Sequence, residues 1–308
     1  MDEWRLSIMK NYVHKHCNTG APVFQFDYSP WNVKGLQYVY QDLSAVFVQQ
    51  METKYKDIFP VSNFGNVPID VRNERGKKER KFYDNVAGIF TMGMWLKKWL
   101  IEDLGIPKEK VHHAGGGCNI DMSLIDDGIR EKGMKILYVG KDFERKNGPL
   151  VVKAFHLLHE RRPEAELFIA GPSDMPAGCD MDGIHFIGLR SFKELAPYYN
   201  MCNIFCMPSL FEAYGLVFVE AMVFGLPCIG RDAFEMPYFI DEGNTGLLLR
   251  HQDAGELSQL MERAADDNDM VSRVLAQRAD YCKKYSWSSV AKRISDAVYA
   301  DIDAQTSI

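Results

Sequence analysis

Short apolar runs bounded by turn residues recur from Met134 onward, at 135–139, 166–170, 184–187, 203–207, 227–230 and 246–249. Amphipathic segments over 149–161, 192–200 and 216–224 fall between them, and helical patterns over 254–265, 269–284 and 288–301 close the chain. Strands that alternate with helices return to the same end of a sheet and pair in parallel, so this half predicts a doubly wound α/β domain. In such sheets ligands bind outside the carboxyl ends of the strands, which directs attention to the loops that follow them.

With 308 residues the chain exceeds the size at which a single core keeps growing, and two domains are expected. A net charge of −6 gives no electrostatic reason for nucleic-acid binding or for strong adhesion to an anionic membrane. Seven scattered cysteines form no C-x-x-C pair, and Cys206 and Cys228 lie in apolar runs. That usage fits reduced, buried thiols. No run of eighteen apolar residues occurs, and the first twenty residues carry Asp2, Glu3, Arg5, Lys10, His14, Lys15 and His16. The expectation is a cytoplasmic chain, peripheral at a membrane if it meets one.

The first half is less regular. Residues 1–20 read as a short helix in which His14 and His16 lack a third ligand of clear spacing, so solvated histidines are expected there. Residues 21–26 read as a buried strand, and Asp27 opens a turn at its carboxyl end. Residues 38–51 mix aromatic and β-branched residues without a period and receive no assignment. The charge run over 71–81 is expected to be a solvated loop or helix face, followed by a helix over 82–87 and a strand over 88–91. Trp95, Leu96, Trp99, Leu100 and Leu104 recur at helical spacing and predict a core-facing helix. A last strand over 111–114 precedes Gly115, Gly116 and Gly117, which suit a hinge better than a phosphate cradle because no convincing helix follows them.

Two strand-end loops carry the chemistry. After 135–139 come Lys141 and Lys146, five positions apart, with Arg145 between them. Ammonium groups aimed into a cleft hold a pyrophosphate as point charges. After 203–207, Pro208 and Ser209 break the strand, Glu212 lies in the loop, and Glu220 stands eight positions later inside the helix over 216–224. The free N–H groups at that helix start attract an anion, so the arrangement suits a ligand bearing both hydroxyls and phosphates.

Across roughly residues 82–290 the ordered set Val139-Gly-Lys, Lys146, Ile169-Ala-Gly171, Phe186-Ile-Gly188, Pro208-Ser-Leu-Phe-Glu212, Gly215-Leu216, Glu220-Ala-Met222, Gly225-Leu-Pro227 and Thr245-Gly-Leu247 resembles the family 4 retaining glycosyltransferases. The resemblance implies a GT-B type α/β fold, with two Rossmann-like doubly wound domains facing a cleft and the N-terminal one abbreviated. The expected division is 1–123 for an acceptor domain, 124–133 for a linker, 134–285 for the nucleotide-sugar domain and 286–308 for a helix packing back on the first domain. The roughly 130 residues before Met134 are fewer than the 150 or so expected of each half.

The resemblance also implies roles. Lys141 and Lys146 would neutralise the departing donor diphosphate, Glu212 would lie near the sugar hydroxyls beside the backbone of Ala213, Tyr214, Gly215 and Leu216, and Glu220 would accept hydrogen bonds from the ribose hydroxyls. Neither a metal nor a cofactor is expected beyond the nucleotide-diphosphate sugar itself. Three departures stand out. Lys141 replaces the usual arginine and loses its bidentate fork, and the usual Gly-Gly-x-Pro-Glu stretch reads Ala233-Phe-Glu-Met-Pro-Tyr238. Asp27 follows a phenylalanine where the family has a histidine near the reacting centre, which leaves Asp27 as the acceptor-side candidate. The implied activity is transfer of a sugar to a hydroxyl of a glycan, lipid or protein, with retention at the anomeric carbon. A nucleotide-sugar-binding, non-catalytic subunit and another GT-B enzyme such as a nucleotide-sugar epimerase are the alternatives, and apolar surface left by a short first half would favour a homo-oligomer or a partner subunit.

Overall fold

A computed structural model of the chain describes residues 20–27, 35–126, 128, 131–176, 178, 179 and 182–306. Two compact units result, Met1–Gly116 with Val290–Ile308, and Gly117–Ser289.

Among the described residues of the first unit four parallel strands stand in chain order, β1 (Val23–Phe26), β2 (Gln37–Gln41), β3 (Gly88–Thr91) and β4 (Val111–His113). The stretch left without an assignment splits into β2 and helix α1 (Ala45–Lys54), because Ser44 accepts hydrogen bonds from the N–H groups of Val46 and Phe47 and starts the helix. Tyr38, Tyr40 and Phe90 form a buried cluster with Ala114 and Val290. Ile294, Ala297 and Val298 of the closing helix Trp287–Thr306 pack against it, at the spacing of one helical face. Phe47 of α1 meets the edges of Trp95 and Trp99 from helix α3 (Met94–Glu102), so the tryptophan pattern is core, as its spacing predicts.

Two expectations for this unit are corrected. Strand β1 is not buried. Phe24 and Phe26 are 46% and 58% exposed, because β1 stands at the sheet edge with β2 as its only partner among the described strands. The charge run is helical throughout, within α2 (Ile69–Asn85), and is not wholly solvated: Arg72, Gly76, Glu79 and Tyr83 share one buried face. Glu79 is only 2% exposed and accepts from the Ser44 hydroxyl at 2.6 Å and the Val46 N–H at 2.9 Å. Its carboxylate serves the amide groups that a helix start leaves without partners. The predicted helix over 1–20, with His14 and His16, lies outside the described residues except for Gly20.

The second unit holds the parallel sheet that the alternation predicts. Its strands are β5 (Lys135–Val139), β6 (Glu166–Ala170), β7 (Ile184–Gly188), β8 (Ile204–Cys206), β9 (Cys228–Arg231) and β10 (Gly246–Leu249), in the order β10-β9-β8-β5-β6-β7. The chain runs outward from β5 to β7, then crosses back and runs outward from β8 to β10. The strand order reverses between β5 and β8, and a crevice opens there at the carboxyl ends. Helices α4 (Gly148–His159), α5 (Phe192–Met201), α6 (Leu216–Val223), α7 (Met236–Phe239) and α8 (Ala254–Asp266) accompany these strands. The predicted helix over 269–284 divides into α9 (Met270–Ala276) and α10 (Arg278–Lys284) at Gln277. No helix among the described residues is long and apolar enough to cross a membrane.

Candidate active site

The loops that leave β5 and β8 are neighbours at the reversal point, and a set of buried contacts ties them together. Gly140 donates to Ala170 at 2.8 Å, and the chain passes so close to Gly171 that a Cβ there would stand 2.4 Å from the Gly140 carbonyl carbon. Glycine is required at 171 for that approach and for its φ of +119°. The loop then turns on itself, with Lys146 donating to the Asp142 carbonyl at 2.9 Å and the Arg145 guanidinium on the Asp142 carboxylate at 2.9 Å. Asn147, in the left-handed region at φ 61°, starts α4.

Three side chains fix the second loop by its carbonyls. Asn147 donates to Pro208 at 3.0 Å, Arg231 to Leu210 at 2.8 Å and Arg145 to Phe211 at 2.7 Å. The Leu210 N–H returns to the Arg145 carbonyl at 2.9 Å. Glu212 is thereby aimed at the first loop, where its carboxylate accepts from Lys146, stands 3.8 Å from Arg145 and accepts from the Ser209 hydroxyl at 3.2 Å. Glu212 and Lys146 are both largely enclosed, at 9% and 12% side-chain exposure. Gly215, at φ 100°, turns the chain into α6 beside the Glu212 side chain.

Glu220, on α6, accepts from the Tyr199 hydroxyl at 3.0 Å. Burial pushes its carboxyl above the usual carboxylate range, against the Tyr199 hydrogen bond and the Lys146 charge, which pull it down. A pocket of about 410 Å³ opens beside these groups, lined by Gly140, Lys141, Lys146, Gly171, Arg190, Val217 and Glu220 among others. Its lining combines the cations Lys141, Arg145, Lys146 and Arg190 with the carboxyl groups of Asp142 and Glu220, and can accept a ligand with phosphates and vicinal hydroxyls.

The structure thus brings Lys141, Lys146 and Glu220 to one pocket and joins Glu212 to it through Lys146. Lys141 is exposed at the rim. Ala213 is half-buried, Tyr214 is packed edge-on against Phe239 at 5.3 Å, and Leu216 is 40% exposed. In the stretch that departs from the family pattern, Phe234 keeps a left-handed backbone (φ 54°) that glycine adopts without strain, and its ring stands edge-on to Phe211 at 5.0 Å. Asn147, Tyr199, Arg190 and Arg231 escape sequence reasoning. The Asn-Gly pair at 147–148 is a turn signal, and Arg190 follows a strand end, but the partners of Tyr199 and Arg231 come from distant parts of the chain.

Asp27 belongs to the first unit, at the carboxyl end of β1. It is exposed, sits at φ 57°, and its backbone N–H donates to the Tyr40 carbonyl at 2.9 Å. Partial desolvation of the carboxyl by the surrounding protein, with the neighbouring Asp42 charge, pushes it up to about 6. An acid whose pKa rises on folding takes up a proton in the folded state, so its contribution to stability falls as pH rises from about 4 through about 6. The Asp27→Asn variant should therefore gain in urea midpoint relative to the parent across that window. Parallel pH profiles for the two proteins would exclude this.

A family model for group 1 glycosyl transferases matches residues 124–285, just over half of the chain. A D-inositol 3-phosphate glycosyltransferase of Corynebacterium kroppenstedtii is 30% identical over 182 residues, covering 54% of this chain and 40% of the relative. A phosphatidyl-myo-inositol mannosyltransferase of Mycolicibacterium smegmatis is 23% identical over 222 residues, covering 70% of this chain and 58% of the relative. The chain spans about half the length of these two curated relatives. Among solved structures, sucrose-phosphate synthase from Thermosynechococcus elongatus superposes with a TM-score of 0.72 at 18% identity, over 98% of this chain and 78% of that one. WaaG, a glycosyltransferase involved in lipopolysaccharide biosynthesis, gives 0.67 at 16% identity, over 92% and 80%. These likenesses bear out the GT-B type fold with its two parallel α/β units. With the matched segment carrying the whole strand-reversal crevice and its lysine and glutamate loops, the chain belongs to the group 1 glycosyl transferases.

Proposed function

We propose that this chain transfers a sugar from a nucleotide-diphosphate sugar to an acceptor hydroxyl, with retention at the anomeric carbon. The observation that carries the reading is the placement of Lys146 and Lys141 on the same pocket as Glu220, at the carboxyl edge where the strand order reverses. Lys146 is held by Glu212 and needs no reorganisation to meet a diphosphate. As the bond from the anomeric carbon to the diphosphate breaks, negative charge grows on the leaving oxygens, and the two ammonium groups with the α6 N-terminus supply the counter-charge. That is the work a divalent cation does elsewhere, so the proposed reaction is metal-independent and uses no cofactor beyond the donor. Glu220 is assigned to the ribose hydroxyls, Glu212 to holding Lys146 and orienting the sugar, and Asp27 to the acceptor side.

The relatives named for inositol phosphate and phosphatidylinositol make a polyol phosphate, free or lipid-borne, the first acceptor class to try. A lipid acceptor would be met from the cytoplasm by peripheral contact. Titration with uridine, guanosine and adenosine diphosphate sugars should reveal one that binds and, with acceptor present, releases its nucleoside diphosphate. Failure of all three to bind would sink the proposal. Binding without turnover over a broad acceptor panel would make the chain a nucleotide-sugar-binding subunit, and isomerised donor without acceptor would make it an epimerase.

A further inference from the structure

Glu220 lines the pocket from α6, yet its direction is set from α5. Tyr199 is fully buried, its ring stacked on Phe224 at 5.1 Å and 28° and lying 6.3 Å from Phe192, another lining residue of the pocket. A ring held this way gives its hydroxyl one position, and from there it donates to Glu220 Oε2 at 3.0 Å. An ionised carboxylate offers about four acceptor sites on its two oxygens, so the phenol leaves capacity for a ligand diol. We propose that Tyr199 is a positioning residue for donor binding: it fixes the Glu220 carboxyl in the orientation that receives the ribose hydroxyls of the nucleotide. The inference rests on the donor reading above.

The chemistry supports this in two ways. The Tyr199 phenol is pushed well above its ordinary range by burial and by the Glu220 charge, so it remains a donor at every working pH. Glu220 is pushed up by burial, and the Tyr199 hydrogen bond is among the effects that pull it back down. Without that bond the carboxyl holds its proton to higher pH, and a protonated carboxyl is a poorer acceptor for a diol.

The test uses Tyr199→Phe, which keeps the stacked ring. Affinity for the nucleoside diphosphate of the preferred donor should fall roughly tenfold, the scale of one hydrogen bond to a charged group, while affinity for its 2′,3′-dideoxy counterpart stays unchanged. The acid limb of donor binding should move to higher pH. In a Glu220→Gln background the same substitution should have no further effect. Equal weakening of both nucleotides, or full additivity with Glu220→Gln, would reduce Tyr199 to a packing residue and overturn the proposal. A readout that needs no ligand separates this from the donor reading: the Glu220 carboxyl, followed by carbon-13 NMR, should titrate at higher pH in Tyr199→Phe. An unmoved titration overturns the positioning role, whereas a moved titration in a chain that binds no nucleotide overturns the donor reading alone.

Discussion

Lys146→Ala should lower the rate of sugar transfer by about a hundredfold or more while the protein stays folded. Removing one preorganised donor from the site where charge develops costs on the order of two to three powers of ten in turnover, and Lys146 is the most enclosed cation on the pocket. The loop that carries it does not depend on the ammonium group. Asn147 on Pro208, Arg145 on Phe211 and Arg231 on Leu210 remain in place, and Glu212 keeps Arg145 and Ser209 as partners. Lys141→Ala is the internal comparison. Its side chain is exposed at the rim, where solvent and salt screen a point charge, so the loss there should be several-fold and should shrink at high ionic strength. Steady-state turnover with the preferred donor, read beside the thermal midpoint, decides the matter. A Lys146→Ala protein with parental turnover would remove the diphosphate assignment.

Why the second half is legible from sequence and the first is not has a physical cause. In 134–289 each strand is a short apolar run ended by glycine, proline or a charged turn, since both faces of a parallel sheet are covered and helices separate most of the runs. The order β10-β9-β8-β5-β6-β7 is not itself in the pattern, but the loops following its strands are, and so Lys141, Lys146 and Glu212, with Glu220 in the helix that follows, can be marked as site candidates before their neighbours are known. What cannot be marked is the means of holding them. Arg231 on the Leu210 carbonyl and Tyr199 on Glu220 join residues 21 positions apart through tertiary packing alone. In the first unit β1 exposes phenylalanines at an edge, so its apolar run does not mark a buried strand. A charge run there hides a buried face, because Glu79 is recruited to the start of α1 from 35 positions away. Apolar periodicity carries no information about a carboxylate buried in this way.

Glu212→Ala is expected to fail in stability as well as in activity, which sets it apart from Lys146→Ala. The variant would leave Lys146, at 12% side-chain exposure, without its ion-pair partner and beside Arg145, which keeps only Asp142, and would take the acceptor from Ser209. Breaking an enclosed ion pair from one side costs about 3 kcal/mol, because the remaining charge is stranded away from water. Transfer should fall as far as in Lys146→Ala, since a stranded ammonium no longer has one position. The double variant Lys146→Met with Glu212→Leu separates the two effects. Removing both members of a buried pair is often close to neutral, so urea unfolding should recover most of the stability lost in Glu212→Ala while transfer stays absent. If Glu212→Ala unfolds at the parental midpoint, the carboxylate is not what holds the two cations together. If the double variant regains turnover, the pair serves the fold and the chemistry lies elsewhere in the pocket.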